Sequence, residues 1–209
     1  LVERFDADPE APIEARYNIA PGDEVATISN TRPDVIDAFQ WGLVPDWAGD
    51  DWTPQINARS ETVAEKPAFR DAFAERRCLV LADGFYEWQS GRGAKQPYRV
   101  QRTDGDPFAF AGLWTDRGDT STVAIVTTAA NEVVEPVHDR MPVMLEPGEE
   151  RRWLAAEDAE TRQALLDPFP GAQTEAYPVS TAVNDPRNDS PAVVEPVAVD
   201  EQAGLEEFG

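Results

Sequence analysis

Short apolar runs, separated by proline, glycine and charged residues, recur along most of the chain. Runs of this length, bounded by turn-forming residues, are typical of β-strands rather than of long helices. They predict strands at Val25–Ser29, Ala38–Leu43, Cys78–Ala82, Gly84–Gln89, Pro97–Gln101, Phe108–Thr115, Thr122–Thr128, Val143–Leu145 and Glu175–Val179. The stretch Ser90–Gly93 contains two glycines and predicts the tip of a hairpin.

Helical signals are fewer, and each covers only a turn or two. Pro67 suits the first turn of a helix in which Phe69 and Phe73 lie one turn apart on the same face. Two further short helices are predicted to begin at Pro147 and at Glu157 or Asp158.

Many strands with few helices predict an α+β fold, in which a single domain surrounds an antiparallel, barrel-like sheet core. The domain is predicted to span residues 1–198. Residues 199–209 form an acidic tail, which we expect to fray. A chain of 209 residues is long enough to bury its core without disulfides or structural metals.

The counts of cysteine and histidine exclude several kinds of site. A single cysteine, Cys78, excludes a disulfide framework and a cysteine-rich zinc site, and a single histidine, His138, excludes a multi-histidine metal centre. We therefore expect no cofactor. No apolar run approaches the roughly 18–20 residues of a membrane span, and no signal peptide opens the sequence. These features predict a cytoplasmic protein without a membrane partner.

The chain is strongly acidic, since 40 Asp and Glu residues against 18 Lys and Arg residues give a formal net charge of −22. The acidic residues are scattered along the chain, and Lys66 and Lys95 are the only lysines. This pattern favours a surface adapted to a high-salt cytoplasm, as in a halophile, over a binding site for one basic partner. The charge alone then says little about the ligand.

Aromatic residues, proline and glycine gather in two segments at predicted strand ends, Tyr17–Gly22 and Trp41–Trp47. One interpretation is turn formation with packed rings. The other is the rim of a binding site, where flat rings stack on bases.

Asn57 and Arg59 lie two residues apart, so in an extended segment their side chains share one face. An amide and a guanidinium on one face can hold a polar, anionic substrate, because arginine binds phosphate through a two-pronged contact. The alternative is structural, with Arg59 paired to Glu61 and Asn57 capping the next turn.

Glu87 lies within the aromatic stretch Phe85–Trp88, where Phe85, Glu87 and Gln89 share one strand face and Tyr86 and Trp88 the other. A carboxylate between aromatic rings is a candidate for a raised pKa, and hence for general acid or base chemistry. The alternative is an exposed strand face.

His138 is the only imidazole, and Asp139 and Arg140 adjoin it in a predicted loop before a strand. A lone histidine is more often a packing or surface residue. Imidazole nevertheless exchanges protons near neutral pH, so any histidine chemistry of this chain must lie here.

Taken in order, these segments resemble the SOS response-associated peptidase (SRAP) family. The resemblance rests on Tyr17–Gly22, Trp41–Trp47, Asn57–Arg59 with Glu61, Ala82–Trp88, Thr127–Ala130, His138–Pro142, Val179–Ser180 and Val183–Asn184. Each motif is modest alone, but their shared order and spacing are specific. The family's fold, one α+β domain built around antiparallel sheets, is similar to the one predicted above.

The resemblance implies a sensor of abasic sites in single-stranded DNA that traps them covalently. In that family, a cysteine following the initiator Met is exposed when the protein removes this Met from itself. Its amine and thiol then close a thiazolidine with the aldehyde of the open sugar. The implied activity is therefore that of an autopeptidase and a lyase-like crosslinking protein in DNA repair.

The resemblance also implies roles for individual residues. Asn57 is expected to hydrogen-bond near the terminal residue and the sugar, Glu87 to handle the amine proton, and His138 to protonate the ring oxygen of the sugar. The implied phosphate and lesion contacts are Arg59, Thr127 and Arg140 for phosphates, and Pro21 and Trp47 as a wedge or stack beside the lesion.

The family's opening motif, Met-Cys-Gly-Arg, is absent, because the sequence begins at Leu1. We expect that upstream residues carrying the nucleophile are missing; the alternative is a degenerate member that binds without crosslinking. Cys78 is not a substitute, because it lies in an apolar strand.

The acidic composition requires a local cationic groove if the ligand is DNA. The predicted groove residues are Arg59, Arg140, Lys66 and Arg187. Two other functions remain open: a small-substrate hydrolase using Glu87 and His138, and a non-catalytic module binding single strands through Trp47 and Trp88. We expect a monomer.

Overall fold

The computed structural model describes residues 1–49, 51–89, 95–118 and 120–198. The predicted hairpin tip at 90–93 and the predicted acidic tail at 199–209 lie outside these described residues. The strands are β1 (Asp8–Pro9), β2 (Glu24–Ser29), β3 (Arg32–Trp41), β4 (Asn57–Arg59), β5 (Arg77–Ala82), β6 (Phe85–Gln89), β7 (Gln96–Arg102), β8 (Phe108–Asp116), β9 (Ser121–Ala129), β10 (Arg140–Pro142), β11 (Met144–Leu145) and β12 (Thr174–Pro178). The α-helices are α1 (Val2–Phe5), α2 (Arg70–Glu75), α3 (Glu150–Ala155) and α4 (Ala159–Ala164).

Nine strands form one large, mostly antiparallel sheet in the order β1-β3-β2-β5-β8-β9-β10, with β11 beside β8 and β4 beside β9. Strand β3 also pairs with β9, through Gln40 with Thr122 and Trp41 with Val123. This extra pairing closes β3, β2, β5, β8 and β9 into a ring. The predicted α+β class with a barrel-like antiparallel core is therefore confirmed.

A second sheet of three antiparallel strands has the order β12-β7-β6. It packs on one face of the large sheet, where the rings of Phe85 and Phe110 meet edge to face, with centroids 5.9 Å apart. The short helices cover the opposite face with Phe73 and Trp153, which pack on Leu79 and Leu113. The large sheet is thus buried on both faces, which explains why β5 and β8 are almost continuously apolar.

The predicted strands are present, and most differ from the structure by one or two residues at their ends. The largest differences are β3, which begins at Arg32 instead of Ala38, and the short strands β1, β4 and β10, which were not predicted. The predicted helix at Pro67 is wrong in its start, because residues 67–69 form turns and α2 begins at Arg70. The other two helices begin at Glu150 and Ala159, the latter capped by Asp158, whose carboxylate accepts from the Thr161 amide.

The buried Arg77, at the start of β5, connects this strand to two helices. Its guanidinium donates to the carbonyls of Trp153 at 2.8 Å, Ala74 at 2.7 Å and Ala156 at 2.8 Å. These carbonyls lie at or just beyond the C-terminal ends of α2 and α3, where helices leave acceptors without intrahelical partners. Burial lowers the pKa of Arg77, and the neighbouring charge of Arg162 lowers it further.

We expect the substitution Arg77→Met to destabilise the fold by about 3 kcal/mol, because several buried carbonyls lose their donor. The matched control is Arg151→Met on α3, whose side chain is 70% exposed, and which should change stability by no more than about 0.5 kcal/mol. Denaturant unfolding measures both. Equal midpoints for the two variants would show that the Arg77 contacts do not hold the helices.

Candidate functional site

The site begins at β9, which pairs with strands along both of its edges. Thr127 lies opposite Arg59 of β4 on one edge and opposite Pro142 of β10 on the other. Ala58, between Asn57 and Arg59, is fully buried in the helix-covered core. Asn57 and Arg59 therefore face the other way, on the side of the second sheet, as predicted from their spacing.

The indole of Trp41 fixes the approach to β4, because its Nε1–H donates to the carbonyl of Ile56 at 2.9 Å. Leu43 and Gln55 exchange backbone hydrogen bonds, each 2.9 Å long. The segment containing Trp41 thus holds Asn57 in position, and the packing interpretation applies to this part of the aromatic segment.

The second sheet brings Glu87 to the same place. Phe85 and Glu87 lie on one face of β6, and Phe85 packs against the large sheet. Tyr86 and Trp88 lie on the opposite face and pack with Tyr17 and Val183. The predicted division of this strand into two faces is therefore confirmed, and it points Glu87 towards β9.

The loop after β9 carries His138 and is tied at two points. Buried Asn131 accepts from the amides of Val133 and Val134 at 3.1 and 3.0 Å. Gln89 of β6 donates through Nε2 to the carbonyl of Pro136 at 2.9 Å. The loop that contains the histidine is thereby fixed to the strand that contains Glu87.

The imidazole of His138 turns its Nδ1 towards its own loop. The backbone amide and the carbonyl oxygen of Arg140 each lie 3.1 Å from Nδ1, and the Asp139 carboxylate lies 3.4 Å away. With Nδ1 engaged by its own loop, Nε2 is the nitrogen left to exchange a proton with a bound group, and the imidazolium form is the one that donates it.

Two adjoining cavities share Glu87 and His138. The first, of about 280 Å³, holds seven of the predicted residues together with three that were not predicted; its lining is Gln55, Asn57, Arg59, Lys66, Phe69, Glu87, Thr127, His138, Arg140 and Met141. The second, of about 510 Å³, is lined by Glu87, Trp88, Lys95, His138 and Asn184. The space therefore continues on both sides of the Glu87–His138 pair.

Partial burial raises the pKa of Glu87 above the ordinary value of a glutamate, and the nearby His138 opposes this shift. The negative charge of Asp139 adds to the increase. A carboxyl group in this state can both accept and return a proton nearer to neutral pH than an exposed one. The raised pKa predicted from the aromatic surroundings is confirmed in direction.

Arg140 forms a two-pronged ion pair with Glu61, with N–O distances of 2.8 and 3.1 Å. It also donates to the carbonyl of Thr127 at 2.6 Å, and its hydrogen bond lowers the pKa of Glu61. The alternative in which Glu61 pairs with Arg59 is therefore wrong. Among the described residues, no carboxylate lies within 4.0 Å of the Arg59 guanidinium.

Tyr17 and Asn18 form hydrogen bonds with the segment 183–189, which contributes Asn184 to the lining of the second cavity. The Asp189 carboxylate accepts from both of their amides, at 2.6 and 3.0 Å, and the side chain of Asn18 donates to the Val183 carbonyl at 3.0 Å. Asn184, next in the chain, accepts from Trp88 Nε1 at 2.7 Å. This network explains why these distant motifs occur together.

The remaining predicted residues lie outside both cavities. Pro21 is exposed in a turn completed by Gly22, whose φ of 98° suits glycine. Trp47 is 57% exposed and packs edge to face on Trp52. The contribution of Arg187 to the groove was predicted wrongly, because this side chain pairs with Asp185 and lines neither cavity.

Lys95 is the functional candidate that the sequence interpretation missed. Its only signal was the near absence of lysine elsewhere in the chain. Cys78 is fully buried, and burial raises its pKa, so its thiol is unsuited to act as a nucleophile.

Within the described residues, no three His, Cys, Asp or Glu side chains come together to hold a metal ion. In the same part of the chain, no helix is long and apolar enough to cross a membrane.

The comparisons with known proteins agree with this geometry. The SOS response associated peptidase (SRAP) family matches residues 1–186. The abasic site processing protein YoqW of Bacillus subtilis is 40% identical, with 93% of each chain covered. YedK of Escherichia coli, also named an abasic site processing protein, is 35% identical, with 91% of this chain and 87% of YedK covered.

Among solved structures, a protein from Bacteroides thetaiotaomicron superposes with a TM-score of 0.84 at 25% identity, with 94% of each chain covered. The fold, the ordered motifs and the sequence match lead to the same assignment. This chain belongs to the SOS response-associated peptidase (SRAP) family.

Proposed function

We propose that this protein processes abasic sites in single-stranded DNA and traps them covalently. The nucleophile in this proposal is a cysteine that follows the initiator Met of the encoded protein and is exposed when the protein removes that Met. The observation that carries this proposal is that Asn57, Glu87, His138 and the cationic Arg59 line one cavity. YoqW and YedK are both named abasic site processing proteins, which supports an abasic site as the substrate.

The proposed chemistry assigns each proton a donor or an acceptor. The imidazolium of His138, through Nε2, donates a proton to the ring oxygen of the sugar. The bond from this oxygen to C1′ breaks, the hydroxyl on C1′ releases its proton to solvent, and C1′ becomes an aldehyde. Glu87 relays both protons of the attacking terminal amine to the aldehyde oxygen, which first becomes the hydroxyl of a carbinolamine and then leaves as water to give an imine. The thiol then adds to the imine carbon, and its proton passes to the nitrogen, which closes the thiazolidine.

The other predicted residues position the strand in this proposal. Asn57 hydrogen-bonds the sugar or the terminal residue, while Arg59, Thr127 and Arg140 hold phosphates. Pro21 and Trp47 stand outside the cavity, where the proposal gives them contacts with the bases beside the lesion. A missing base lowers the cost of turning the sugar out of the stack.

The alternatives fit the geometry less well. A hydrolase of small substrates needs a site that encloses its substrate, whereas here the cavity continues past Glu87 and His138 on both sides. A non-catalytic module that stacks bases on Trp47 and Trp88 is also disfavoured, because the Trp88 indole donates to Asn184 and packs against the cluster that contains Val183.

The direct test mixes protein expressed from its own start codon with a single-stranded oligonucleotide carrying one abasic site. We expect a band of reduced mobility that survives heating on a denaturing gel. Glu87→Gln and His138→Ala should each slow its formation by about 10²-fold, the usual range for a lost acid or base. Glu10→Gln, remote in the chain and not lining the site, is the control. Equal rates in all four proteins would refute the assigned roles.

The raised pKa of Glu87 predicts a pH-dependent effect on stability. The folded state binds this proton more tightly than the unfolded chain, so the contribution of Glu87 is most favourable below its ordinary pKa and declines as pH rises through the raised one. Glu87→Gln should therefore melt about 2 °C higher at pH 8, with no difference at pH 4. Thermal scans at both values measure this; a variant less stable at pH 8 contradicts it.

Breaking the Glu61–Arg140 ion pair should affect DNA binding and the rate of covalent trapping differently. Glu61→Gln releases Arg140 for phosphate but loosens the backbone amide that orients His138. We expect binding of an uncleavable abasic analogue to be no weaker, while trapping at saturating DNA slows about tenfold. Glu10→Gln, which breaks a similar exposed pair with Arg32, should change neither. Weaker binding with an unchanged trapping rate would contradict this role.

A further inference from the structure

Lysine is almost absent from this chain, yet both lysines stand at the site. Lys66 lines the cavity that contains Asn57, and Lys95 lines the cavity on the other side of Glu87 and His138. The other sixteen basic residues are arginines. Each of the two cavities is therefore lined by one of the two lysines of the chain.

The pairing of charges distinguishes these positions from the rest of the surface. Within the described residues, eleven arginines lie within 4.0 Å of a carboxylate: Arg4, Arg16, Arg32, Arg70, Arg76, Arg99, Arg102, Arg140, Arg151, Arg152 and Arg187. Arg77 and Arg162 bind backbone carbonyls instead.

Four described cations remain without either kind of partner: Arg59, Lys66, Lys95 and Arg117. Three of these four line the two cavities. The unpaired positive charge of the described surface is therefore concentrated around Glu87 and His138.

This concentration has a physical consequence for a polyanionic ligand. A net charge of −22 repels DNA at long range, so cations that are not already neutralised by carboxylates are the most attractive positions for a strand. An ammonium group is a compact point charge that suits single phosphate contacts. Both lysine side chains are exposed and available to such a contact.

We propose that the DNA strand passes through both cavities, with Lys66 holding a backbone phosphate on one side of the abasic sugar and Lys95 holding one on the other side. This inference rests on the proposed function and deepens it, because it makes Lys95 a strand-binding residue and gives the strand a path. The Glu87–His138 pair lies at the junction of the two cavities, so the sugar between the two phosphates is the one that reaches it.

The test measures equilibrium binding of oligonucleotides that carry a tetrahydrofuran abasic analogue, which cannot crosslink. One oligonucleotide has several nucleotides on both sides of the analogue, and two others are trimmed to end at the analogue on the 5′ or the 3′ side. The proteins are the parent, Lys66→Gln, Lys95→Gln and, as matched control, Arg117→Gln, which removes an exposed cation outside the cavities.

With the full oligonucleotide, each lysine variant should bind about fivefold more weakly than the parent. The slope of log affinity against log salt should differ between variant and parent by about 0.7, the value for one phosphate contact on a single strand. Salt screens the overall charge of the parent and of each variant to nearly the same extent. Comparing the two proteins at each salt concentration therefore removes most of this effect. Arg117→Gln should bind like the parent. Lys66→Arg and Lys95→Arg, which keep the charge, should restore most of the affinity.

The trimmed oligonucleotides provide the decisive comparison. One trimmed end should abolish the effect of Lys66→Gln and preserve that of Lys95→Gln, and the opposite end should do the reverse. Loss of both effects with the same trimmed end, or no effect of either lysine, overturns the proposed path. Because the analogue does not react, this result is independent of covalent trapping, so failure of the path and failure of the trapping function are distinguishable.

Discussion

The site depends on one constraint of the backbone, the pairing of β9 along both of its edges. Ile125 pairs with Gly112 of β8 on one edge and with Asn57 of β4 on the other. Thr127 likewise pairs with Pro142 of β10 on one edge and with Arg59 of β4 on the other. Because β9 is held on both sides, the short strand β4 has a fixed register. In a strand, a slip of one residue would turn Asn57 into the core and Ala58 into the cavity. The placement of the polar face is therefore a consequence of sheet register.

The distribution of charge is the second feature on which the site depends. Glu87 is half-buried where the two sheets meet, and burial raises its pKa. This arrangement costs stability, and it favours proton exchange at a higher pH than an exposed glutamate would allow. Around it, a strongly acidic surface neutralises most arginines. Among the described residues that line the two cavities, Arg59, Lys66 and Lys95 are the cations without a carboxylate partner. Whether the acidic surface reflects a high-salt cytoplasm, and whether the protein is a monomer, remain predictions.

The sequence predicted well what depends on local periodicity and poorly what depends on contacts between distant segments. The shared faces of Asn57 with Arg59, and of Phe85 with Glu87, follow from the two-residue repeat of a strand. The strands β4 and β10 were missed because three residues give too short a pattern, and neighbouring strands supply their hydrogen bonds. The partner of Arg140 is Glu61, 79 residues away, a separation that local patterns cannot resolve. The family resemblance supplied Thr127, which has no chemical signal of its own.

The account is tested most directly by a crystal structure of the complete encoded protein with a single strand that contains a tetrahydrofuran abasic analogue. It predicts that the sugar analogue lies within hydrogen-bonding distance of Asn57, Glu87 and His138, with the strand leaving the site past Lys66 on one side and past Lys95 on the other. A complex in which the analogue lies outside these two cavities, or in which DNA binds another face of the sheet, would contradict it.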